Sequence, residues 1–482
     1  MDSEVVYVAG EWRPPRGAGR IAVVNPATEE ELAVVADGSG ADVDDAVAAA
    51  RAALPEWSAR PAEERAAFLR LMRRELLARR EEFAATVTAE MGAPIALSRH
   101  VQTGLPLRAL GGLLDALTEV STPERLGNSV VLHEPVGVVA ALTPWNYPLH
   151  QVVAKLAAAI AVGCTVVLKP SELAPLSAML LTRVLHEVDL PAGVVNLVTG
   201  GVATGDALVG HPGVDLVSFT GSAAVGALVA ARAGALVRPL ILELGGKSAN
   251  VVLPDADLPA ALEYGVTRAL ANSGQTCTAL SRMLVPRKDL DEARQRCTEF
   301  AAQYVPGDPT DPGTLLGPLV TADHRDRVRR VFADAAAEGV DRIDPLGDRP
   351  LPERGYYLAP SLFVTDDPDL PIVQDEIFGP ALCLLPYDTE EEALAITNNS
   401  RFGLAGAVWS TDRDHAVAFA RGMRVGRVDI NGAPFNPAAP FGGRGLSGYG
   451  HELGRFGLRE YQVAKAIGLP DGPAARPGGV AG

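Results

Sequence analysis

The amino-acid sequence predicts an α/β fold, because short apolar stretches alternate with helical stretches through the middle of the chain. The apolar stretches are Val136–Leu142, Thr165–Leu168, Val194–Val198, Val214–Phe219 and Pro239–Leu242. Helical patterns such as Leu149–Val162 and Ser222–Ala233 separate them. Strands that are apolar on both faces and joined by helices are typical of a parallel sheet covered on both sides. We therefore expect a Rossmann-like parallel sheet.

Helices are expected before this sheet, and a second α/β region after it. From about Asp42 to Leu117 the pattern is helical, after a short extended entry. Pro61 and the two glutamates that follow it favour a helix start, since acidic side chains stabilise the positive end of the helix dipole. The second region runs from about 246 to 428, with helices near 261–270 and 321–338. The final residues are rich in Pro, Gly and Ala, which predicts a flexible tail.

Composition narrows the function classes. The 482 residues are enough for two or three domains. The formal net charge of -16, with Lys and Arg scattered among acids, argues against a nucleic-acid partner. The acidic N-terminus lacks the pattern of a secretory signal. The longest apolar run, Leu156–Leu168, is too short for a membrane span of about 20 residues. We expect a cytoplasmic protein without a membrane partner.

One cysteine of four stands in a context suited to chemistry. No two cysteines form a Cys-x-x-Cys pair, and the histidines form no ligand pattern, so no metal site is expected. Cys164, Cys297 and Cys383 lie in apolar or helical patterns. Cys277 lies in the polar, Gly-containing stretch 272–278. A reachable thiol is a strong nucleophile, and the carboxylate of Glu243 is a candidate general base.

Two segments carry a family resemblance. Gly274-Gln275-Thr276-Cys277 and Glu243-Leu244-Gly245-Gly246-Lys247 resemble the nucleophile and general-base segments of the NAD(P)-dependent aldehyde dehydrogenase superfamily. The resemblance runs from about Val24 to about Lys465. It implies a Rossmann-like cofactor domain, a second α/β catalytic domain and a small β oligomerisation flap.

The resemblance also implies domain limits. Residues 1–115 and 136–245 are expected to form a discontinuous NAD-binding domain, and residues 246–445 the catalytic domain. Residues 116–135 and 455–470 would be oligomerisation segments, and 471–482 a flexible tail. In the family such segments pair between subunits, so a homodimer or a homotetramer is expected, and the sequence does not choose between them.

The implied reaction oxidises an aldehyde to a carboxylic acid. Cys277 attacks the carbonyl, hydride passes to the nicotinamide, and Glu243 activates the water that hydrolyses the resulting thioester. The Asn146 side-chain amide and the Cys277 backbone N–H would hold the oxyanion. Relatives that transfer the acyl group to coenzyme A generally lack this glutamate, so water is the expected acceptor. The alternatives are an acyl-transferring relative and a non-catalytic dinucleotide-binding homologue.

The cofactor residues rest on the resemblance, because no Gly-x-Gly-x-x-Gly follows the first strand. The turn after Phe219 presents backbone N–H groups that suit a pyrophosphate. Glu172 is expected to accept hydrogen bonds from ribose hydroxyls and to repel a 2′-phosphate, which favours NAD over NADP. The expected cofactor-binding residues are Thr143, Trp145, Asn146, Lys169, Ser171, Glu172, Gly205, Phe219, Gly221, Ser222, Val225, Leu244, Gly245, Glu376 and Phe378.

Other candidates have structural alternatives. Lys155 and Glu452 match positions that relay protons in relatives, but a structural ion pair or a helix cap explains them equally well. The expected substrate pocket is Tyr147, Ala154, Phe435 and Phe441, although core packing is an alternative for each aromatic ring. Arg282 and Arg444 have plausible structural roles, so no cation is reserved for an acidic substrate. We expect an apolar aliphatic or aromatic aldehyde.

Overall fold

The computed structural model describes residues 3–470, which form four sheets and the helices around them. The strands are β1 (Val6–Val8), β2 (Glu11–Arg13), β3 (Gly19–Val24), β4 (Glu31–Asp37), β5 (Glu124–Leu126), β6 (Ser129–Pro135), β7 (Val138–Leu142), β8 (Thr165–Lys169), β9 (Val195–Leu197), β10 (Leu216–Thr220), β11 (Leu240–Glu243), β12 (Ala249–Val252), β13 (Arg282–Pro286), β14 (Asp341–Ile343), β15 (Ser361–Val364), β16 (Ala381–Tyr387), β17 (Ala405–Trp409), β18 (Arg427–Ile430), β19 (Gly448–Tyr449) and β20 (Gln462–Gly468). The helices are α1 (Gly40–Ala59), α2 (Ala62–Ala78), α3 (Arg80–Met91), α4 (Ile95–Leu97), α5 (Gly104–Ser121), α6 (Pro148–Val162), α7 (Leu176–Glu187), α8 (Val202–Gly210), α9 (Ala223–Gly234), α10 (Leu258–Leu270), α11 (Leu290–Ala301), α12 (Ala322–Ala337), α13 (Pro371–Gln374), α14 (Glu390–Asn398), α15 (Arg413–Gly422) and α16 (Gly454–Glu460).

The first sheet contains the five strands predicted from the sequence. Its order is β19-β11-β10-β7-β8-β9-β1-β2, and β7 to β11 pair in parallel. The α/β prediction is therefore confirmed. Strands β1, β2 and β19, which add antiparallel edges to this sheet, were not predicted. The N-terminal segment, which was expected only to be extended, thus forms the paired strands β1 and β2. Strands β3 and β4 pair with each other in a separate small sheet.

Helix α6 is buried along its whole length, because it lies between the first sheet and other helices. Its side chains share one core with Leu216 and Ile241, on one face of the sheet. The neighbouring residues Val217 and Leu242 belong to the core on the opposite face, together with residues of α8 and α9. The helix begins where the parallel strands end. Polar side chains on its first two turns are therefore held inside the protein, at the carboxyl edge of the sheet.

The second sheet lies in the predicted second α/β region, and the third sheet is formed by β5, β6 and β20. The second has the order β14-β15-β16-β13-β12-β17-β18 and is parallel except at β14. The third has the order β20-β6-β5. The domain limits stay a prediction, and the expected tail at 471–482 lies outside the described residues. Within residues 3–470, no helix combines the length and apolarity that a bilayer crossing requires. The same range contains no cluster of three or more metal-ligating side chains.

Arg282 has a structural environment, in agreement with the sequence. Its guanidinium is buried and donates to the carbonyl oxygens of Lys247 (2.9 Å), Ile396 (3.0 Å) and Thr397 (3.0 Å). Burial lowers its pKa to about 10. One side chain thus satisfies carbonyl groups from the end of α14 and from the turn before β12.

We predict that Arg282→Met lowers the free energy of unfolding by about 3 kcal/mol, because it removes a charged hydrogen-bond donor from three carbonyl groups. Urea denaturation followed by tryptophan fluorescence measures this change. Arg413→Met, at an exposed position on α15, is the matched control and should change stability by less than about 0.5 kcal/mol. Equal stability of the two variants would contradict this role of Arg282.

Candidate active site

A rigid turn presents Cys277. After α10 the chain passes through Asn272 (φ 55°), Ser273 (φ 59°) and Gly274 (φ 72°), a left-handed sequence that is costly for residues with a side chain. A Cβ at position 274 would overlap the backbone of Gly379, so glycine is required there. These contacts fix the turn and leave the Cys277 side chain half-buried.

The thiol of Cys277 faces a cavity of about 340 Å³ at the carboxyl edge of the first sheet. The loop after β7, the start of α6, the ends of β10 and β11, α12 and the segment before β16 all contribute to its wall. The lining residues are Pro144, Trp145, Asn146, Gln151, Thr220, Gly221, Ser222, Leu244, Gly245, Cys277, His324, Arg327, Glu376 and Phe378.

Asn146 is buried in this wall and held from two sides. Its side-chain nitrogen donates to the carbonyl oxygen of Gln275 at 3.1 Å. Its own carbonyl oxygen accepts from the side chains of Gln102 (2.9 Å) and Asn272 (3.0 Å). The Asn146 side-chain amide is therefore fixed to Gln275, which lies two residues before Cys277 in the same turn. A fixed amide N–H next to a thiol is the arrangement that an oxyanion site requires.

Two carboxyl groups act on the thiol. Glu243 ends β11, is buried, and has no hydrogen-bond partner among residues 3–470 for either oxygen. Burial raises the pKa of Glu243 well above its usual value; the charge of Glu452 adds to this effect and Lys155 opposes it. Burial also raises the pKa of Glu376 to about 7. Burial, Glu376 and Glu243 together raise the pKa of the Cys277 thiol to about 12.

Lys155 and Glu452 form a buried ion pair, with 2.6 Å between Nζ and Oε1. The Lys155 ammonium also donates to Ser218 Oγ at 3.0 Å, and the Tyr461 hydroxyl donates to the same atom at 3.1 Å. The structural alternative raised from the sequence is therefore present as an ion pair. The charges of Lys155 and Glu452 also act on Glu243. Their role in passing a proton from Glu243 stays a prediction.

A second cavity of about 410 Å³ continues the first along the carboxyl edge of the sheet. The two share five lining residues, among them Gly221 and Ser222 at the start of α9. Every residue that the sequence assigned to the cofactor lines one cavity or the other. Lys169 and Glu172 pair at 3.1 Å at the far end. A long groove with a carboxylate at one end and a helix N-terminus midway fits a dinucleotide.

The four residues expected to line the substrate pocket make two sets of contacts. Ala154 packs in a small apolar cluster that Phe435 and Phe441 adjoin, and the two rings lie 6.3 Å apart. Tyr147 stands nearer the thiol, since its hydroxyl lies 2.9 Å from Thr276 Oγ1. Ala154, Phe435 and Phe441 thus share one cluster, and Tyr147 contacts the residue that precedes Cys277. Their role toward a substrate stays a prediction.

Several cavity residues were missed from the sequence. His324 and Arg327 come from α12, far along the chain, and the sequence contains no sign that α12 reaches the cavity. The His324 ring lies 2.7 Å from the Phe378 carbonyl oxygen, and burial with the nearby Arg327 lowers its pKa to about 4. Gln151 and Thr220 were also missed. The spacing of Gln151 to Lys155, one helical turn, could have revealed that the two share a helix face.

Comparison with known proteins gives full-length matches. Residues 12–467 match the model of the aldehyde dehydrogenase family. A 3-succinoylsemialdehyde-pyridine dehydrogenase of a Pseudomonas species is 43% identical, over 97% of this chain and 98% of that protein. A geranial dehydrogenase of Castellaniella defragrans is 38% identical, over 97% and 99%. A cysteine-to-alanine mutant of aldehyde dehydrogenase C from Pseudomonas syringae, in complex with NAD+ and octanal, has a TM-score of 0.95 and 43% identity, over 97% and 96%.

We predict that alkylation of Cys277 by iodoacetamide accelerates steadily as the pH is raised from 7 to 10. The raised pKa keeps the thiol protonated across this range, and only the thiolate reacts. Glu376→Gln should accelerate alkylation at pH 9, since it removes a negative charge that opposes the thiolate. Peptide mass spectrometry measures the rates, with buried Cys297 as the internal control. A rate that levels off near pH 7 would contradict the assigned electrostatics.

Proposed function

The chain belongs to the aldehyde dehydrogenase family, and from this premise we propose that it oxidises an aldehyde to a carboxylic acid with NAD at Cys277. One observation carries the assignment of residues: Cys277 and Asn146 line one cavity of a groove that fits a dinucleotide, and the buried carboxyl of Glu243 acts electrostatically on the Cys277 thiol. NAD and octanal bound to the relative from Pseudomonas syringae support the cofactor and the kind of substrate.

The first half of the reaction forms a bond between Cys277 Sγ and the aldehyde carbon. The thiol must lose its proton, and the raised pKa of Glu243 makes this carboxylate a stronger base than an exposed one. The carbonyl oxygen gains negative charge, which the Asn146 amide and the Cys277 backbone N–H stabilise. NAD, when bound, supplies the acceptor for the hydride that leaves this carbon. An acyl group is then joined to Sγ as a thioester.

The second half cleaves the thioester. Glu243 removes a proton from a water molecule, the water oxygen bonds to the acyl carbon, and the carbon–sulfur bond breaks. The carboxylic acid is released, and the sulfur leaves as the thiolate. Lys155 and Glu452 would pass the proton away from Glu243, and the buried contact between them supports this role. Because Glu243 must be ionised to act, turnover should rise with pH through its raised pKa.

The apolar border formed by Ala154, Phe435 and Phe441 supports an apolar aldehyde as the substrate. The names of two relatives, which act on geranial and on a pyridine semialdehyde, are in keeping with this class. Tyr147 would hold the reacting end next to the sulfur. NAD is favoured over NADP, because the Glu172 carboxylate in the wall of the second cavity would repel a 2′-phosphate.

Assembly as a homodimer or homotetramer is also part of the proposal. Strand β20 forms an edge of the third sheet, and Val463, Ile467 and Leu469 on or beside it are exposed. Exposed apolar side chains on an edge strand are covered in soluble proteins by a partner, and a second copy of this chain is the simplest one. A cytoplasmic location remains the expectation from the sequence.

Two other functions stay as alternatives. An acyl-transferring enzyme would pass the thioester to an acceptor other than water, and a non-catalytic homologue would bind a dinucleotide without turnover. The presence of Cys277, Glu243 and Asn146 favours hydrolysis over both. NADH formation with an aldehyde panel, measured with and without coenzyme A, separates the three.

The test of the proposed function is absorbance at 340 nm with octanal and NAD. Cys277→Ala should form no NADH while it still binds NAD in a fluorescence titration. Glu243→Gln should still release about one NADH per subunit, because loss of the Glu243 charge lowers the pKa of the Cys277 thiol and solvent can then accept its proton. This variant should afterwards turn over at least 100-fold more slowly than the wild type, because hydrolysis of the thioester needs the base. Cys297→Ala is the control and should keep normal rates. Normal steady-state turnover of Glu243→Gln would overturn its assignment as the base.

We predict that Glu172→Gln raises the use of NADP relative to NAD by at least tenfold. The substitution removes a negative charge that repels the 2′-phosphate and frees Lys169 from its carboxylate partner. The ratio of kcat/KM for the two cofactors measures the change. Asp257→Asn, on the exposed cap of α10, removes a carboxylate far from the groove and should leave the ratio unchanged. No change of the ratio in Glu172→Gln would contradict the assignment.

A further inference from the structure

Three buried side chains in or next to the cavity wall have polar atoms without a partner among residues 3–470: Gln151 and Thr220 line the cavity, and Glu243 directly precedes the lining residue Leu244. Gln151 Oε1, Thr220 Oγ1 and both carboxyl oxygens of Glu243 have no hydrogen-bond partner among residues 3–470. The exposed fractions of these residues are 5%, 8% and 2%. An unpaired buried polar atom costs about 1–3 kcal/mol, so three such residues together call for a common ligand.

Backbone register places the three side chains together. Thr220 lies beside Glu243 in the parallel pairing of β10 with β11, so both side chains point to the same face. Ser218, two residues earlier, shares that face and accepts from Lys155 on α6. One helical turn before Lys155 comes Gln151. The step from Ser218 to Thr220 along β10 and the step from Lys155 to Gln151 along α6 each cover about 6 Å. Both steps lead toward the carboxyl edge of the first sheet. Gln151 therefore lies opposite Thr220.

We propose that Gln151 and Thr220, together with Glu243, form the binding site of the water molecule that hydrolyses the thioester. This inference rests on the proposed function. Gln151 and Thr220 both line the cavity that contains Cys277, and Glu243 acts on its thiol. A buried water requires two to four polar partners, which these three side chains supply. Gln151 and Thr220 are positioning residues, since the bond-making atoms belong to water and Cys277.

The three contacts have separate roles in the step. Glu243 accepts the proton that the water loses as its oxygen bonds to the acyl carbon. Gln151 Oε1 accepts a hydrogen bond from the proton that stays and ends on the carboxylic acid. The Thr220 hydroxyl donates to one lone pair of the oxygen, which leaves the other directed at the carbon. The carbon–sulfur bond breaks, and the electron pair stays on Sγ of Cys277.

The test measures decay of the acyl-enzyme directly. Enzyme with excess NAD and one equivalent of octanal is quenched in acid at intervals, and the thioester is counted by intact mass. Gln151→Met should form NADH at the wild-type rate but lose the thioester about tenfold more slowly, since one hydrogen bond to the water is missing. Thr220→Val, an isosteric change, should also slow the decay. Gln462→Met, which alters a half-buried glutamine in β20 whose Oε1 is buried and unpaired among residues 3–470, is the control.

A second readout separates water placement from general damage. Hydroxylamine attacks a thioester without any water molecule, so capture of the acyl group as hydroxamate should proceed at wild-type rates in Gln151→Met. Equal slowing of hydrolysis and capture, or unchanged thioester decay in both Gln151→Met and Thr220→Val, would overturn the water site. If the wild type forms no NADH with any aldehyde, the proposed function itself is wrong. Normal NADH formation with unchanged decay overturns the water site alone.

Discussion

The burial of the Glu243 carboxyl beside a thiol is the constraint on which the site depends. With no hydrogen-bond partner among the described residues, this carboxyl is a stronger base than an exposed one, and its charge also holds the Cys277 thiol in the protonated form. The Glu243 carboxylate thus disfavours the Cys277 thiolate, because two negative charges are costly in a poorly solvated cavity. The environment therefore favours one negative charge on the pair of Glu243 and Cys277, with the proton on one of the two groups.

Helix α6 makes that environment possible. It is buried from end to end, and yet its start and its first two turns carry Asn146, Gln151 and Lys155 to the carboxyl edge of the sheet. In an apolar core, each of these groups has a fixed position, since a polar side chain there keeps only the conformations that satisfy it. The ion pair of Lys155 with Glu452 also joins the helix to the loop that follows β19.

Much of this could be predicted from the sequence, and the physical reasons differ by element. The five parallel strands were located to within two residues because strands buried on both faces are continuous apolar runs. The family, the fold class, the reaction class and the cofactor are confirmed by the full-length matches. Strands β1 and β2 were missed, since three-residue edge strands depend on the neighbour with which they pair. His324 and Gln151 were missed because their proximity to Cys277 arises only when α12 and α6 reach one edge. The individual roles of the site residues stay predictions.

The most direct measurement is the mass of the peptide that contains Cys277 when the first turnover with octanal and NAD is quenched in acid before the thioester is hydrolysed. The expected gain in mass on Cys277 equals octanal minus two hydrogen atoms, because the thioester forms with loss of the thiol proton and of one hydride. An adduct on another residue, or none on Cys277 while NADH is formed, would contradict it.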